Sequence, residues 1–170
     1  PYWAFAWPGG QALARLLLDQ PDIARGRRVL DFAAGSGVVG VAAALAGAER
    51  VVCAEIDRFA AAAIALNAEL NGVALEVAAF DRNRRQLDRP LAGISLVLAG
   101  DVCYERPMAE RVISWFRLLA AQGVEVLLGD PGRAYLPQSG LERAARYDVP
   151  TSLDLEDREI RTTTVWRLIG

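Results

Sequence analysis

The chain has 170 residues, 53% hydrophobic and 24% charged, with a formal net charge of -2 and a pI near 5.3. That length and composition fit one domain spanning residues 1–170 with a sizeable core, and exclude disordered and fibrous classes. All 19 basic residues are arginine and histidine is absent, which excludes His-ligated metal sites, Ser-His-Asp triads and His proton shuttles and leaves carboxylates, tyrosine, backbone and a cofactor to carry any chemistry.

In chain order, the opening PYWAFAWPGG lacks the charged region and cleavage pattern of a signal peptide. It also starts without Met, so an N-terminal segment is expected to be missing. Gln11 to Asp19 has apolar residues at helical spacing and stops at Gln20-Pro21. Strands and helices then alternate: strands at Arg28 to Phe32, Arg50 to Ala54, Leu75 to Ala79, Ile94 to Ala99 and Val124 to Leu128, with helices at Val38 to Ala46, Arg58 to Asn71 and Met108 to Ala121. Near-continuous apolar strands in a βαβα rhythm predict a doubly wound α/β fold with a parallel sheet covered on both faces. The tail breaks the rhythm. Leu141 to Ala145 reads as a short helix, and Arg146 to Leu155 and Glu159 to Ile169 as two strands too closely joined for a crossover helix, hence an antiparallel hairpin.

The stretch Val29 to Gly40, VLDFAAGSGVVG, is an apolar strand that runs into a glycine turn and then a helix. Gly35 and Gly37 let the backbone turn tightly and approach a ligand, and the helix N-terminus offers free N–H groups. The bland alternative is a tight packing turn. Glu55 closes the next apolar strand about twenty residues on, where α/β nucleotide sites place the acid that accepts from ribose hydroxyls. Asp31 at the end of the first strand would repel a dinucleotide pyrophosphate and attract an ammonium, so the pair favours S-adenosylmethionine over NAD.

Other features carry less. Arg82, Arg84, Arg85 and Arg89 form a local basic cluster, read as a solvated loop in preference to a nucleic-acid patch. Cys53 and Cys103 have no zinc-site spacing and are expected as small hydrophobes without a disulfide, in a reducing compartment. No stretch of about 18 uninterrupted apolar residues exists, so a soluble chain is expected with no membrane association.

PYWAFAWPGGQALARLLLDQP, VLDFAAGSGVVG, EIDRFAAAAIALNAELNG, GDVCYE, GDPGRAYLP and TTTVW together resemble the electron transfer flavoprotein beta-subunit lysine methyltransferases, over nearly the whole chain. The resemblance implies a class I, Rossmann-like seven-stranded sheet, mostly parallel, with its C-terminal antiparallel hairpin. It implies a protein-lysine N-methyltransferase using S-adenosylmethionine and releasing S-adenosylhomocysteine, with the flavoprotein beta subunit as protein substrate.

Carried onto this sequence, the resemblance sets the methionine part of the cofactor against Asp31, Ala33, Gly35 and Gly37, and the ribose on Glu55 with Ile56 beside it. Adenine falls to Phe80 and Asp81. Trp7 belongs to a segment that closes over the cofactor, with an aromatic plug as the alternative, and Gly100, also set against the cofactor, adjoins the acceptor motif Asp101 to Tyr104. There Asp101 would orient the incoming amine and the Tyr104 ring flank a methylated cation; the structural alternatives are a helix N-cap and a half-buried ring. Ala33 stands where many relatives have glycine, and a negative φ is expected to accommodate it. Asp130 and Arg133 read equally as substrate-docking groups or as a salt-bridged turn, and Trp166 as core.

The expected partner set is a protein substrate, no nucleic acid and no second copy, with no metal. A small-molecule N-methyltransferase acting on a nicotinamide-like amine and an NAD-binding oxidoreductase or nucleotide sensor remain open. The arginine-for-lysine bias leans toward a bacterial cytoplasm, with the mitochondrial matrix as the eukaryotic counterpart.

Overall fold

A computed structural model of the protein describes residues 1–79, 91–153, 156–157 and 159–169. Phe80, Asp81 and the arginine cluster at 82–89 lie outside the described residues.

Among the described residues seven strands form one sheet in the order β3-β2-β1-β4-β5-β7-β6. The strands are β1 Arg28–Phe32, β2 Arg50–Glu55, β3 Glu76–Ala79, β4 Leu96–Gly100, β5 Glu125–Asp130, β6 Leu141–Pro150 and β7 Ile160–Leu168. β1 to β5 are parallel, whereas β7 runs antiparallel to both β5 and β6. The chain winds outward from β1 through β2 to β3, then returns to β4 on the other side. The order therefore reverses between β1 and β4, and a crevice opens at their carboxyl ends.

Period-two alternation along doubly buried strands divides the core. Val29, Val51, Cys53, Leu96, Leu98 and Leu127 face one layer, while Leu30, Val52, Ala54, Val97, Ala99 and Leu128 face the other. The first layer is closed by α1 Pro8–Asp19 and α2 Val38–Leu45, with Ile64 from α3 Arg58–Leu70. α4 Arg106–Ala121 closes the second through Ala109, Val112, Ile113 and Phe116.

The predicted short helix at Leu141 to Ala145 is instead the start of β6. Leu141 pairs with Leu168 and Arg143 with Trp166, and a register shift between Arg143 and Ala145 precedes regular pairing to Pro150. An unpaired β7 edge left more backbone hydrogen bonds to be gained than five residues of helix could supply. Strand four starts at Leu96 because Ile94 N–H donates to Leu91 O in a turn. α1 starts at Pro8, earlier than predicted: proline suits the first helical turn, and glycine is required at Gly9 for packing.

Candidate active site

A cleft of about 850 Å³ opens at the carboxyl ends of β1, β2 and β4, within the usual size of small-molecule sites. Trp7, Asp31, Ala33, Gly35, Glu55, Ile56, Gly100, Asp101 and Tyr104 all line it. Gly37 is not among its walls: it holds φ 85 at the N-cap of α2, and a Cβ there would press on Ile64 at 3.1 Å. Its role is turning the chain and seating α3.

Two residues that end strands share one unusual conformation. Ala33 follows β1 and Asp101 follows β4, each with φ 55. The negative φ expected of Ala33 is therefore wrong; the turn into the glycine loop needs a left-handed residue, at about 1–2 kcal/mol for alanine. Asp101 tolerates that region better.

Asp31 is 1% exposed. Its Oδ2 accepts from Gly40 N–H at 2.8 Å, an otherwise unpaired amide in the first turn of α2. Gly40 must be glycine there, since a Cβ would meet Cys53 Sγ at 2.6 Å and Asp31 Oδ2 at 3.2 Å. Burial pushes the Asp31 carboxyl up to about 7, opposed by the Gly40 N–H and reinforced by the Glu55 charge. Glu55 is set by backbone amides: Oε2 accepts from Gly35 N–H at 2.8 Å, and Oε1 from Ile56 and Asp57 N–H at 2.7 and 3.1 Å. Asp57 caps α3 by accepting from Phe59 N–H at 2.7 Å.

The N-cap alternative for Asp101 is realised, on a different helix from the one that follows it. Its Oδ2 accepts from Gly9 N–H at 2.6 Å, capping α1 from outside, where Trp7 supplies no side-chain cap. This works because α1 sits backbone to backbone on the strand ends. A Cβ on Gly9 or Gly129 would collide with the other's carbonyl, and one on Gly100 with Gly10 N at 2.6 Å. The other Asp101 oxygen, Oδ1, accepts from Arg133 Nη2 at 3.0 Å and Nε at 3.3 Å. Burial raises the Asp101 carboxyl to about 6 against the pull of Arg133 and Gly9, with the Asp130 charge adding to the rise. Tyr104 is 57% exposed at the mouth.

Trp7 donates from Nε1 to Tyr2 O at 2.6 Å, packs against the rings of Tyr2 and Phe5, and lies under the Arg133 guanidinium at 5.9 Å. It is thus both a wall of the cleft and the anchor of the N-terminal segment. Trp3 backbone lies beside Gly35, at 3.5 Å from where a Cβ would stand.

Sequence reasoning left two parts of the site unassigned. Arg133 is a cleft wall and the partner of Asp101; the Gly129-Asp130-Pro131-Gly132-Arg133 turn that delivers it was the available signal. Asp130 stays out of the cleft and holds that turn, Oδ1 accepting from Gly132 and Arg133 N–H at 2.7 and 2.6 Å. The second part is the α4 wall of Met108, Val112 and Trp115, with Trp115, Phe32 and Phe116 packed in tilted and edge-to-face pairs at centroid distances of 5.2–5.5 Å. Its i, i+4, i+7 spacing reads equally as plain core.

A seven-stranded sheet with an antiparallel last strand, and acids at the ends of β1, β2 and β4 around one crevice, define the class I methyltransferase fold. A family model described as ribosomal protein L11 methyltransferase (PrmA) matches residues 12–99. Among solved structures, an RNA methyltransferase from Salinibacter ruber in complex with S-adenosyl-L-homocysteine shares the fold at TM-score 0.60 and 18% identity, over 93% of this chain and 89% of that one. The chain is 39% identical to the electron transfer flavoprotein beta subunit lysine methyltransferases of Danio rerio and Xenopus laevis, each over 98% of its length and 66% and 68% of theirs. It belongs to that family. The chain spans about two thirds of the length of these relatives.

Proposed function

We propose that this chain is an S-adenosylmethionine-dependent protein-lysine N-methyltransferase whose acceptor is the beta subunit of electron transfer flavoprotein. The observation that carries the reading is chain-long identity to relatives of that name, joined to a cleft whose acids suit a cationic cofactor and a cationic acceptor.

The residues present fit S-adenosylmethionine: Asp31 for an ammonium, Glu55 for vicinal hydroxyls, Gly35 for close backbone approach. When bound, that cofactor supplies an electrophilic methyl group. Everything else falls to the protein. Asp31 gives up its proton more readily once a positive charge lies beside it. Glu55 already accepts three amide hydrogens, and its remaining lone-pair capacity is directed by them. Asp101, with two donors fixed on it, accepts one hydrogen bond from the incoming amine and so orients it, while exposed Tyr104 flanks the entrance. In-line displacement by a neutral amine needs little acid–base help beyond loss of one proton, and positioning supplies most of the rate.

Incubation of the chain with methyl-labelled S-adenosylmethionine and purified flavoprotein beta subunit tests this. Label on the beta subunit, lost with Asp101→Asn, is the expected result. An unlabelled beta subunit alongside rapid labelling of a nicotinamide-like amine would overturn it.

A further inference from the structure

Behind the acceptor end of the cleft lies a cluster of charges of which the reading above uses only Asp101. Arg133, its side chain 19% exposed, divides its guanidinium between two carboxylates. Nη2 donates both to Asp101 Oδ1 at 3.0 Å and to Glu156 Oε1 at 2.5 Å, Nη1 reaches Glu156 Oε2 at 3.4 Å, and Nε reaches Asp101 Oδ1 at 3.3 Å. Glu156 has a 6% exposed side chain and its second oxygen lies 3.6 Å from Arg161 Nε on β7. Asp130, 2% exposed, sits close enough to raise Asp101, and its Oδ2 has no hydrogen-bond partner among the described residues.

We propose that Arg133 is a positioning residue for the methyl acceptor: clamped from behind by Glu156, it holds the Asp101 carboxylate charged and aimed into the cleft. This rests on the reading of Asp101 as the group that meets the acceptor amine. The geometry explains why one arginine serves two acids. Gly9 N–H fixes Oδ2, but a neutral amide does little to offset the burial of a full charge. Arg133 supplies that offset for Oδ1, and Glu156 stops it from swinging over Asp101 entirely. With Asp101, Glu156, Asp130 and Asp157, the last on Arg161 Nη1 at 2.9 Å, ionised against Arg133 and Arg161, the cluster retains two uncompensated negative charges, one of them on solvent-exposed Asp157. That surplus suits a cation arriving at the cleft end, and it links the β6–β7 connection carrying Glu156 to acceptor binding.

The groups that face Asp101 are Arg133 and Asp130 from the end of β5, the Gly9 amide from α1, Cys103 from its own turn, and Glu156 and Arg161 through Arg133. Removing the cation and removing its clamp must therefore act in opposite directions. A ¹³C titration of the Asp101 carboxyl, assigned with Asp101→Asn, reads this without any acceptor: its midpoint rises in Arg133→Gln and falls in Glu156→Gln. On the flavoprotein beta subunit, Arg133→Gln lowers kcat/KM at neutral pH roughly 10- to 100-fold and moves the acid limb of the profile to higher pH. Arg133→Lys restores part, since an ammonium cannot fork between two carboxylates, and S-adenosylhomocysteine affinity stays within about threefold.

Midpoints that do not move, or that move together, overturn the proposal. So does loss of S-adenosylhomocysteine binding in step with activity, which would place Arg133 on the cofactor side. If Arg133→Gln does not fold, the downward shift in Glu156→Gln still decides. A wild-type chain that leaves the beta subunit unmethylated sinks the acceptor assignment while the titration result stands apart.

Discussion

Asp31→Asn should make the ligand-free protein more stable and the cofactor complex weaker. In the folded chain Asp31 is fully enclosed and its carboxyl is raised from 3.8 to about 7. Between those values the folded state binds more protons than the unfolded state, so stability is greatest below 3.8 and is lost as pH rises through about 7. The loss is about 3 units at 1.36 kcal/mol each, or about 4 kcal/mol as a ceiling. For a domain of this size that is roughly 8–16 °C in Tm. Asparagine keeps an oxygen for the Gly40 N–H and removes the titration. Thermal unfolding from pH 5 to 8.5, with and without S-adenosylhomocysteine, checks both halves. Wild type should lose Tm across the range more steeply than the variant, with Asp101 and Asp130 contributing the slope common to both. Saturating S-adenosylhomocysteine should restore wild type most at high pH and the variant little. Parallel Tm curves, or a variant less stable at pH 8 with an unchanged ligand shift, would refute the reasoning.

Three further substitutions probe the frame of the site. Ala33→Gly relieves the left-handed strain and gives back some unfolded-state entropy, for a net gain of about 0.5–1 kcal/mol in urea unfolding; a loss above about 1 kcal/mol would mean the methyl is packing. Gly129→Ala drives a Cβ into the Gly9 carbonyl and should cost about 3 kcal/mol or more, with increased amide exchange at Gly9 and Gly10; near-neutral stability would contradict the close seating of α1. Glu55→Gln keeps one oxygen, enough for Ile56 and Asp57 N–H or for Gly35 N–H but not for both sets. It turns an NH2 toward the remaining donor and removes the charge that strengthens bonds to hydroxyls, weakening S-adenosylhomocysteine about 10-fold by calorimetry and costing about 1–3 kcal/mol of stability. Equal affinity would remove Glu55 from the ribose role.

How far the sequence reveals the molecule differs from element to element. β1, β2, β4 and β5 were readable because strands buried on both faces are largely apolar, exposed edge strand β3 because its place in the alternation called for a strand, and the helices because each carries its own stop. β6 was not. Leu141 to Ala145 has helical composition, and only the distant β7 edge makes it a strand. The acids at Asp31, Glu55 and Asp101 were readable because each ends a predicted strand on the ligand edge. Their partners were hidden: Gly40, Gly9 and Arg133 are contacts across 9, 92 and 32 residues, and no local pattern announces them. Gly37 stands beside the cleft and against Ile64, not in the cleft wall, a distinction the motif alone does not draw. A glycine motif shows that the backbone must turn, but not which of its glycines meets the ligand and which meets a neighbouring helix.

Intact-mass and peptide mass spectrometry of electron transfer flavoprotein beta subunit, after incubation with this chain and S-adenosylmethionine, tests the central claim most directly. The account predicts stepwise addition of methyl groups confined to lysine side chains, abolished in Asp101→Asn while S-adenosylhomocysteine still binds. An unmodified beta subunit in the presence of a chain that binds S-adenosylhomocysteine would contradict it.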